Sequence, residues 1–475
     1  MLPGLDVAAT RHFCEQRVAP HALPQVRLEA DVEPRTFTVM SCEAGIAIPL
    51  VPGYRVRCSK PRAYSTLSRL VTRHWTADAS LPADPRERMP FDYDAYVPDE
   101  IADLDPVLAA SASRMLHEAD QAVRELNEDI PNVTGLEALA RQLLRQESVA
   151  SSRIEGLVMS HRRLARAAVA DADQHRDMSA EAILANIAAM EHAITTTSAA
   201  DTITVAALRD VHRVLMENTR DAHIAGIVRT RQNWIGGNNY NPLSATFVPP
   251  PEDEVQRLLA DLAAFMNRSD LSPTLQAAIA HAQFETIHPF ADGNGRAGRC
   301  LIHVVYRRAA LAPRFVPPVS LVLATDSDAY VGGLTAYRAD RPEDWYLDFA
   351  LTVIKACRAA RQLAARIDTL EEHWIAQAGD PRRNSTARTL IQLLPAQPIL
   401  RVSHVIALTG ASPTAAHNAV NELEHAGVLK QVTVGKRNRA WEAVGLLKLI
   451  DEFERRLAIR EPGPDKPARP APFLN

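Results

Sequence analysis

Apolar residues recur at three- and four-residue intervals from about Ile101 to Trp374, the spacing of helices that each bury one face. The first such stretch, LDPVLAASASRMLHEADQAVRELNE, sets Leu108, Met115 and Val123 on one side. The next opens at Thr134-Gly135 and carries Leu136, Leu139, Leu143 and Leu144 into ESVASSRIEGLVMSHRRLARAAVAD. Further helices are expected over 181–194, 204–218, 252–268 and 344–374, with a pair flanking the loop HPFADGNGRAGR at 288–299. One segment breaks this rhythm. GIVRTRQNWIGGNNYNPLSATFVPPP (226–251) alternates Val228, Thr230 and Trp234, turns at Gly236-Gly237-Asn238-Asn239 and returns through Thr246, Phe247 and Val248. That pattern predicts a β-hairpin with uncovered edges, which either receives another chain as an added strand or closes the bundle as a structural flap.

Past Ser385 the order is helix, helix, turn, helix and a two-stranded ribbon, with Ser412 as N-cap, Pro413 in the first turn and Gly427 at the stop. This predicts a winged helix-turn-helix. Residues 1–94 are read only as an N-terminal extension, with one compact apolar run, IAIPLV, at 46–51; a small β-containing lead or a partly disordered stretch fits it. The predicted divisions are 1–94, 95–200, 201–375, 380–455 and a disordered proline-rich tail at 461–475. The expected fold is mainly α, a helical bundle with a β-hairpin flap.

Composition narrows the function classes. A net charge of −4 gives no global pull toward nucleic acid or anionic membranes, so such binding needs a local patch. No apolar run approaches the ~18 residues of a membrane span, and the N-terminus lacks a signal pattern. The five cysteines, Cys14, Cys42, Cys58, Cys300 and Cys357, show no C-x-x-C spacing, which fits a reducing cytoplasm.

The chemistry concentrates at 288–299. Gly293 through Gly298 spell G-x-G-x-x-G, yet the upstream TLQAAIAHAQFETIHPF is helical, so the dinucleotide turn that this fingerprint marks after a strand is not expected. Gly293 and Gly295 instead leave backbone N–H groups at a helix start, a ready anion site. Arg296 and Arg299, three apart, both reach toward one polyphosphate. Asp292 is a hard oxygen ligand suited to Mg²⁺, and His288, at the end of the preceding helix, suits a general base. Phe290 anchors the loop in the core. The set points to phosphoryl or nucleotidyl transfer.

HPFADGNGRAGR resembles the motif of the Fic family, His-x-Phe-x-Asp/Glu-Gly-Asn-Gly-Arg-x-x-Arg, at every specified position, and the resemblance extends over about 95–375. It implies transfer of AMP from ATP to a Ser, Thr or Tyr hydroxyl of a target protein. His288 would be the base, Asp292 the Mg²⁺ ligand, and Gly293, Asn294 and Gly295 the α-phosphate cradle. Arg296 and Arg299 would hold the outer phosphates, and the segment carrying Asn233, Trp234, Ile235 and Gly236 would be the target-binding flap. Ser151-Ser152-Arg153-Ile154-Glu155-Gly156 resembles the family's inhibitory motif, which implies that Glu155 pairs with Arg299 and restrains the enzyme; removal of AMP through Glu155 is a further implication.

The rival expectation is a DNA-binding regulator with a nucleotide-sensing or inactive domain. It draws on Lys430, Lys436, Arg437 and Arg439 of the ribbon and on Arg382, Arg383 and Arg388 before it. The recognition helix weakens it, offering Thr414, His417, Asn418 and Asn421 beside Glu422 and Glu424, without Arg or Lys. Homo-oligomerisation is compatible with either.

Overall fold

The computed structural model describes residues 36–38, 55–57, 68–76, 80, 85–128, 136–170, 177–238, 240–434 and 438–458. Thr134-Gly135, the run at 46–51, Cys14, Cys42, Cys58, Asn239, Lys436, Arg437 and the tail at 461–475 lie outside them. Residues 1–67 form one compact unit, described through β1 (Thr36–Thr38) and β2 (Arg55–Arg57), which pair in parallel. Residues 68–475 form the other.

The second unit opens with an antiparallel hairpin, β3 (Ser68–Trp75) and β4 (Phe91–Pro98), registered Ser68 to Pro98 and Trp75 to Phe91. The division expected at 94/95 therefore falls inside a strand. Phe91, Tyr93, Ala95 and Val97 alternate with polar neighbours, and this period of two directs one face of β4 inward.

The bundle follows as α1 (Ala110–Glu128), α2 (Leu136–Ile154), α3 (His161–Ala168), α4 (Met178–His192), α5 (Val205–Met216), α6 (Glu252–Met266), α7 (Pro273–Ile287), α8 (Asn294–Arg308), α9 (Val319–Leu323), α10 (Ser327–Arg338) and α11 (Pro342–Gln377). α4 runs into a π-turn at Ala193–Thr197. α7 and α8 form the centre: every residue of α7 from Thr274 to Ile287 and of α8 from Asn294 to Tyr306 is buried. α7, enclosed on all sides, shows no amphipathic stripe, whereas α8 sets Arg296, Arg299 and His303 on one face; both are rich in small or aliphatic residues such as Ala277, Ala278, Ala280, Ala297 and Val304. α7 starts sharply because Ser272 caps Leu275 N while Asp120 of α1 accepts from Ser272 Oγ (2.8 Å) and Thr274 N (3.0 Å).

Beyond α11 come α12 (Thr386–Leu393), β5 (Ile399–Leu400), α13 (Val402–Thr409), α14 (Pro413–His425), β6 (Leu429–Val434), β7 (Asn438–Ala443) and α15 (Leu446–Ala458), with sheet order β5-β7-β6. Ser412 caps α14 through Ala415 N. The short β5 and the closing α15 have no counterpart in the sequence reading.

This C-terminal unit rests on α3. Ala165 and Val169 meet Ile399, Ala440 and Leu447, and Arg162 grips Glu442 with two hydrogen bonds of 3.0 and 2.7 Å. Glu454 of α15 is buried between Arg153 (2.6 Å) and His161 (2.8 Å), on either side of the Glu155-Gly156 turn. Burial alone would raise the Glu454 carboxyl, but the His161 hydrogen bond and charge, then Arg153, hold it below its ordinary value. Its contribution is therefore complete above the unfolded-chain value of about 4.3 and is lost as pH falls through the lower folded-state value. Glu454→Ala is expected to lower the urea midpoint, at a cost of about 1–3 kcal/mol, and to flatten the loss of stability that the parent shows on acidification below about pH 4.5.

Candidate functional site

α7 ends where His288 turns into the left-handed region, φ 48° and ψ 60°, with its N–H on Phe284 O at 2.9 Å. A histidine in this region needs its surroundings to hold it. Arg229, almost fully buried, does so by donating from Nε to His288 O (2.9 Å) and from a terminal nitrogen to Pro250 O (2.6 Å). Phe290 is enclosed, stacked on His212 with centroids 3.7 Å apart and planes 3° from parallel. Burial brings His212 down to about 4, so its ring is neutral; Nδ1 accepts from Gly226 N and Nε2 donates to Asp292 O at 2.9 Å. The loop is thus fixed at residues 288, 290 and 292.

α8 begins at Gly293, whose φ of 76° only glycine adopts at little cost. The first amides of a helix have no partner within it. A carboxylate lies against this turn: a Cβ on residue 295 would collide with Oε1 of Glu155, so Gly295 is what lets that side chain approach the backbone. Glu155 follows the last residue of α2 and pairs with Arg299 at 2.7 Å. Arg299 is 1% exposed and also donates from Nε to Ser151 Oγ (2.8 Å) and from a terminal nitrogen to Ser151 O (2.9 Å). Burial by itself would make the guanidinium easier to deprotonate; Glu155, then Tyr330 and Glu285, more than offset this and keep it charged. Glu285, one turn before His288, is pushed up to about 7 by burial.

The register of α2 that delivers Glu155 is set by enclosed polar ties. Glu147 accepts from Ser320 N (2.7 Å) and Ser320 Oγ (2.5 Å) and meets His303 Nε2 at 3.0 Å, which joins α2 to α8 and α9. Asn186 of α4 donates to Ser148 O at 2.7 Å. Such ties hold a helix in one position because each broken partner would leave a buried polar group unsatisfied.

Two expected roles look different in place. Arg296 and Arg299 do not converge on one partner: Arg296 lies 3.7 Å from Asp292, four residues earlier on the same surface, whereas Arg299 points to α2. Asn294 turns its side chain to the loop, with Oδ1 accepting from Phe290 N (2.8 Å) and Nδ2 donating to Phe290 O (2.9 Å), so what this turn offers to an anion is its backbone N–H groups.

The segment 226–251 is a loop closed by single bridges, Val228 to Phe290 and Ile235 to Phe247, not a two-stranded hairpin. Its carbonyls are taken by side chains, Gln232 donating to Asn233 O and Pro249 O and Arg229 to Arg231 O and Pro250 O. Pro249, Pro250 and Pro251 have no N–H to give, so a ladder cannot extend. Nor is its edge bare: Tyr96 N of β4 bonds Val248 O at 2.9 Å, and Trp234 meets Trp75 edge to face at 5.8 Å. Within it Gly236 forms the exposed bend and Ile235 the bridge, while Asn233 turns inward onto His288.

Asp292 presents a carboxylate whose side chain is 62% exposed beside the helix start. Among the described residues no group of three or more His, Cys, Asp or Glu gathers as a metal cage. Mg²⁺ is commonly held by one or two carboxylates together with phosphate oxygens and water, so a lone Asp at an anion cradle fits that ion when it arrives with a polyphosphate. Among the described residues, no helix is long and apolar enough to cross a membrane.

Residues 202–306 match the Fic/DOC family and residues 113–195 its N-terminal region. The chain is 31% identical over 133 residues to protein adenylyltransferase fic-1 of Caenorhabditis elegans, covering 27% of this chain and 23% of the relative. It is 26% identical over 258 residues to protein adenylyltransferase Fic of Drosophila willistoni, covering 52% and 43%. The matches thus span less than half the length of these curated relatives. A solved Fic family protein from Desulfovibrio desulfuricans aligns at 18% identity with a TM-score of 0.45, covering 72% of this chain and 98% of that one. Residues 113–195 and 202–306, which carry both the Glu155 carboxylate and the loop that it faces, thus match the Fic/DOC family.

Proposed function

We propose that the chain is a protein adenylyltransferase, moving AMP from ATP to a Ser, Thr or Tyr hydroxyl of a target protein, and that Glu155 restrains it. The observation that carries this reading is the carboxylate of Glu155 lying against Gly295 in the first turn of α8 while paired to Arg299. A side-chain anion there occupies the place and the cation that a nucleotide polyphosphate needs.

In the reaction the target oxygen bonds to the α-phosphorus, the bond from that phosphorus to the β-phosphate oxygen breaks, and pyrophosphate leaves. The proton of the target hydroxyl passes to His288. The Gly293 turn and the amides of Asn294 and Gly295 stabilise charge as it develops on the α-phosphate, where prearranged donors act most strongly. Arg299 and Arg296 hold the outer phosphates. Asp292 would hold Mg²⁺, which neutralises phosphate charge.

The region 226–251 is the target-facing flap, and residues 380–455 form a winged helix-turn-helix unit. The exposed face of α14 carries Asn418, Asn421 and Glu422 without Arg or Lys, and Glu424 is bound to Trp441 Nε1 at 2.9 Å, so a role in docking fits better than base reading. Buried free Cys300 and Cys357 suit a cytoplasmic protein.

The nucleotide chemistry is tested by incubating Glu155→Gly protein and lysate with ATP labelled at the α- or the γ-phosphate. Protein-bound label from the α-position alone is expected. Label from the γ-position alone means phosphoryl transfer and overturns the reading.

A further inference from the structure

His288 has two ring nitrogens, and only an unprotonated one can take a proton. Around Nδ1 the protein places two amide NH₂ groups. Asn233 Nδ2 lies 2.9 Å from Nδ1 and Asn294 Nδ2 lies 3.3 Å from it. Neighbouring backbone fixes the orientation of each amide. Asn294 is set by its paired bonds to Phe290 N and O, and Asn233 Nδ2, with two hydrogens to give, also faces Phe290 O (3.0 Å) and His288 O (3.3 Å). An NH₂ group donates and cannot accept, so Nδ1 carries the lone pair and the ring proton sits on Nε2. Both amides also close off Nδ1, which leaves Nε2 as the nitrogen able to meet a target hydroxyl. In this arrangement that nitrogen is already protonated and is no base.

We propose that Asn233 is a positioning residue that selects the tautomer of His288 and so ties the strength of the base to the position of the flap. The statement rests on the transferase reading for its consequence and on hydrogen-bond geometry for its content. The alternative partner atom is at hand: Asn233 Oδ1 is buried with no hydrogen-bond partner. Turning the amide over would bring Oδ1 to Nδ1; the ring then gives its Nε2 proton to water and takes one from water on Nδ1, where Oδ1 accepts Nδ1–H and the Nε2 lone pair is free. With the flap unmoved, the turned oxygen would face the carbonyls of Phe290 and His288, so the exchange requires residue 233 to shift. A target strand bound to the flap supplies that shift. When Nε2 then takes the target's proton, the ring becomes an imidazolium whose Nδ1–H still has Oδ1 as acceptor, and no second proton movement is needed.

The charged groups around the ring bear on its titration. Burial, then Arg229 and Arg338, bring His288 down to about 3, and Asp292 opposes them. An acid in place of Asn233 has no N–H to offer the carbonyls of Phe290 and His288, so residue 233 shifts from them, and either oxygen then accepts Nδ1–H and raises that value.

The test compares the Glu155→Gly protein with its Asn233→Asp and Asn233→Ala derivatives. Nitrogen NMR of ring-labelled histidine reads the tautomer, with the His288 signal assigned by its loss in His288→Gln. The parent is expected to carry its proton on Nε2 and Asn233→Asp on Nδ1. Label transfer at neutral pH is expected to be about 3- to 10-fold faster in Asn233→Asp than in Asn233→Ala, with an acid limb in Asn233→Asp that the parent lacks. A parent proton on Nδ1 overturns the proposal, as does an unchanged tautomer in Asn233→Asp with the same loss as Asn233→Ala, the mark of a merely structural contact. The NMR needs no turnover, so its expected result beside a protein that transfers no nucleotide removes the transferase reading while the tautomer assignment stands.

Discussion

Glu155→Gly is expected to raise the transfer of α-phosphate label to protein by about 10- to 100-fold over the parent, the factor that follows from removing one competitor for a buried charged partner. The geometry makes this change unusually clean. Glu155 lies just past α2, with its N–H on Ser152 O and that of Gly156 on Arg153 O, so glycine there leaves the backbone of the turn intact. Arg299 keeps both of its bonds to Ser151, at 2.8 and 2.9 Å, and remains aimed at the vacated place. What disappears is the carboxylate against Gly295 of α8, together with the charge that neutralised Arg299. A buried guanidinium without its acid is costly, so the variant is also expected to melt below the parent without nucleotide and to recover more than the parent does on adding ATP and Mg²⁺. Initial rates of labelling and paired melting curves check both halves. Equal labelling by parent and variant would mean that Glu155 does not compete with nucleotide.

The contrast between short-range and long-range features decides what the sequence made legible. HPFADGNGRAGR is local: its glycines, Asp292 and both arginines lie on one turn and the helix it starts, so twelve residues suffice to read an anion cradle. The pairing of Glu155 with Arg299 spans 144 residues, and a family resemblance, not spacing, pointed to it. The contact of Asn233 with His288 spans 55 and depends on which way one amide faces, which no periodicity encodes. The flap shows the limit from the other side. Val228, Thr230 and Trp234 alternate as a strand would, but Arg229 and Gln232 bind the carbonyls that a ladder would have used. Ser151 looked like motif spacing and proves to be what orients Arg299, while the buried Arg229 had no sequence signal, since arginine in a loop ordinarily reads as solvated surface.

Placed in the Glu155→Gly background, His288→Ala is expected to abolish transfer to within about 10²- to 10⁴-fold below that background, the usual contribution of a positioned general base, while nucleotide still binds. The two effects separate because the parts are separate. The groups proposed to hold the nucleotide are backbone amides, Arg296 and Arg299, none of which hydrogen-bonds the imidazole, and Phe290, held by His212, keeps the loop seated without it. The ring's low pKa, about 3, fixes the sign of the pH dependence. A ring whose value is depressed this far stays neutral from pH about 8 to 6, so its own titration gives the parent rate no fall over that range, where an ordinary histidine would be taking up its second proton. A rate that drops tenfold per pH unit below about 6.5 would show that the ring titrates freely, and with it that neither burial nor the amides of Asn233 and Asn294 hold it neutral. Fluorescent-nucleotide binding with unchanged affinity, beside lost transfer, then marks His288 as acting on the proton and not on the phosphates.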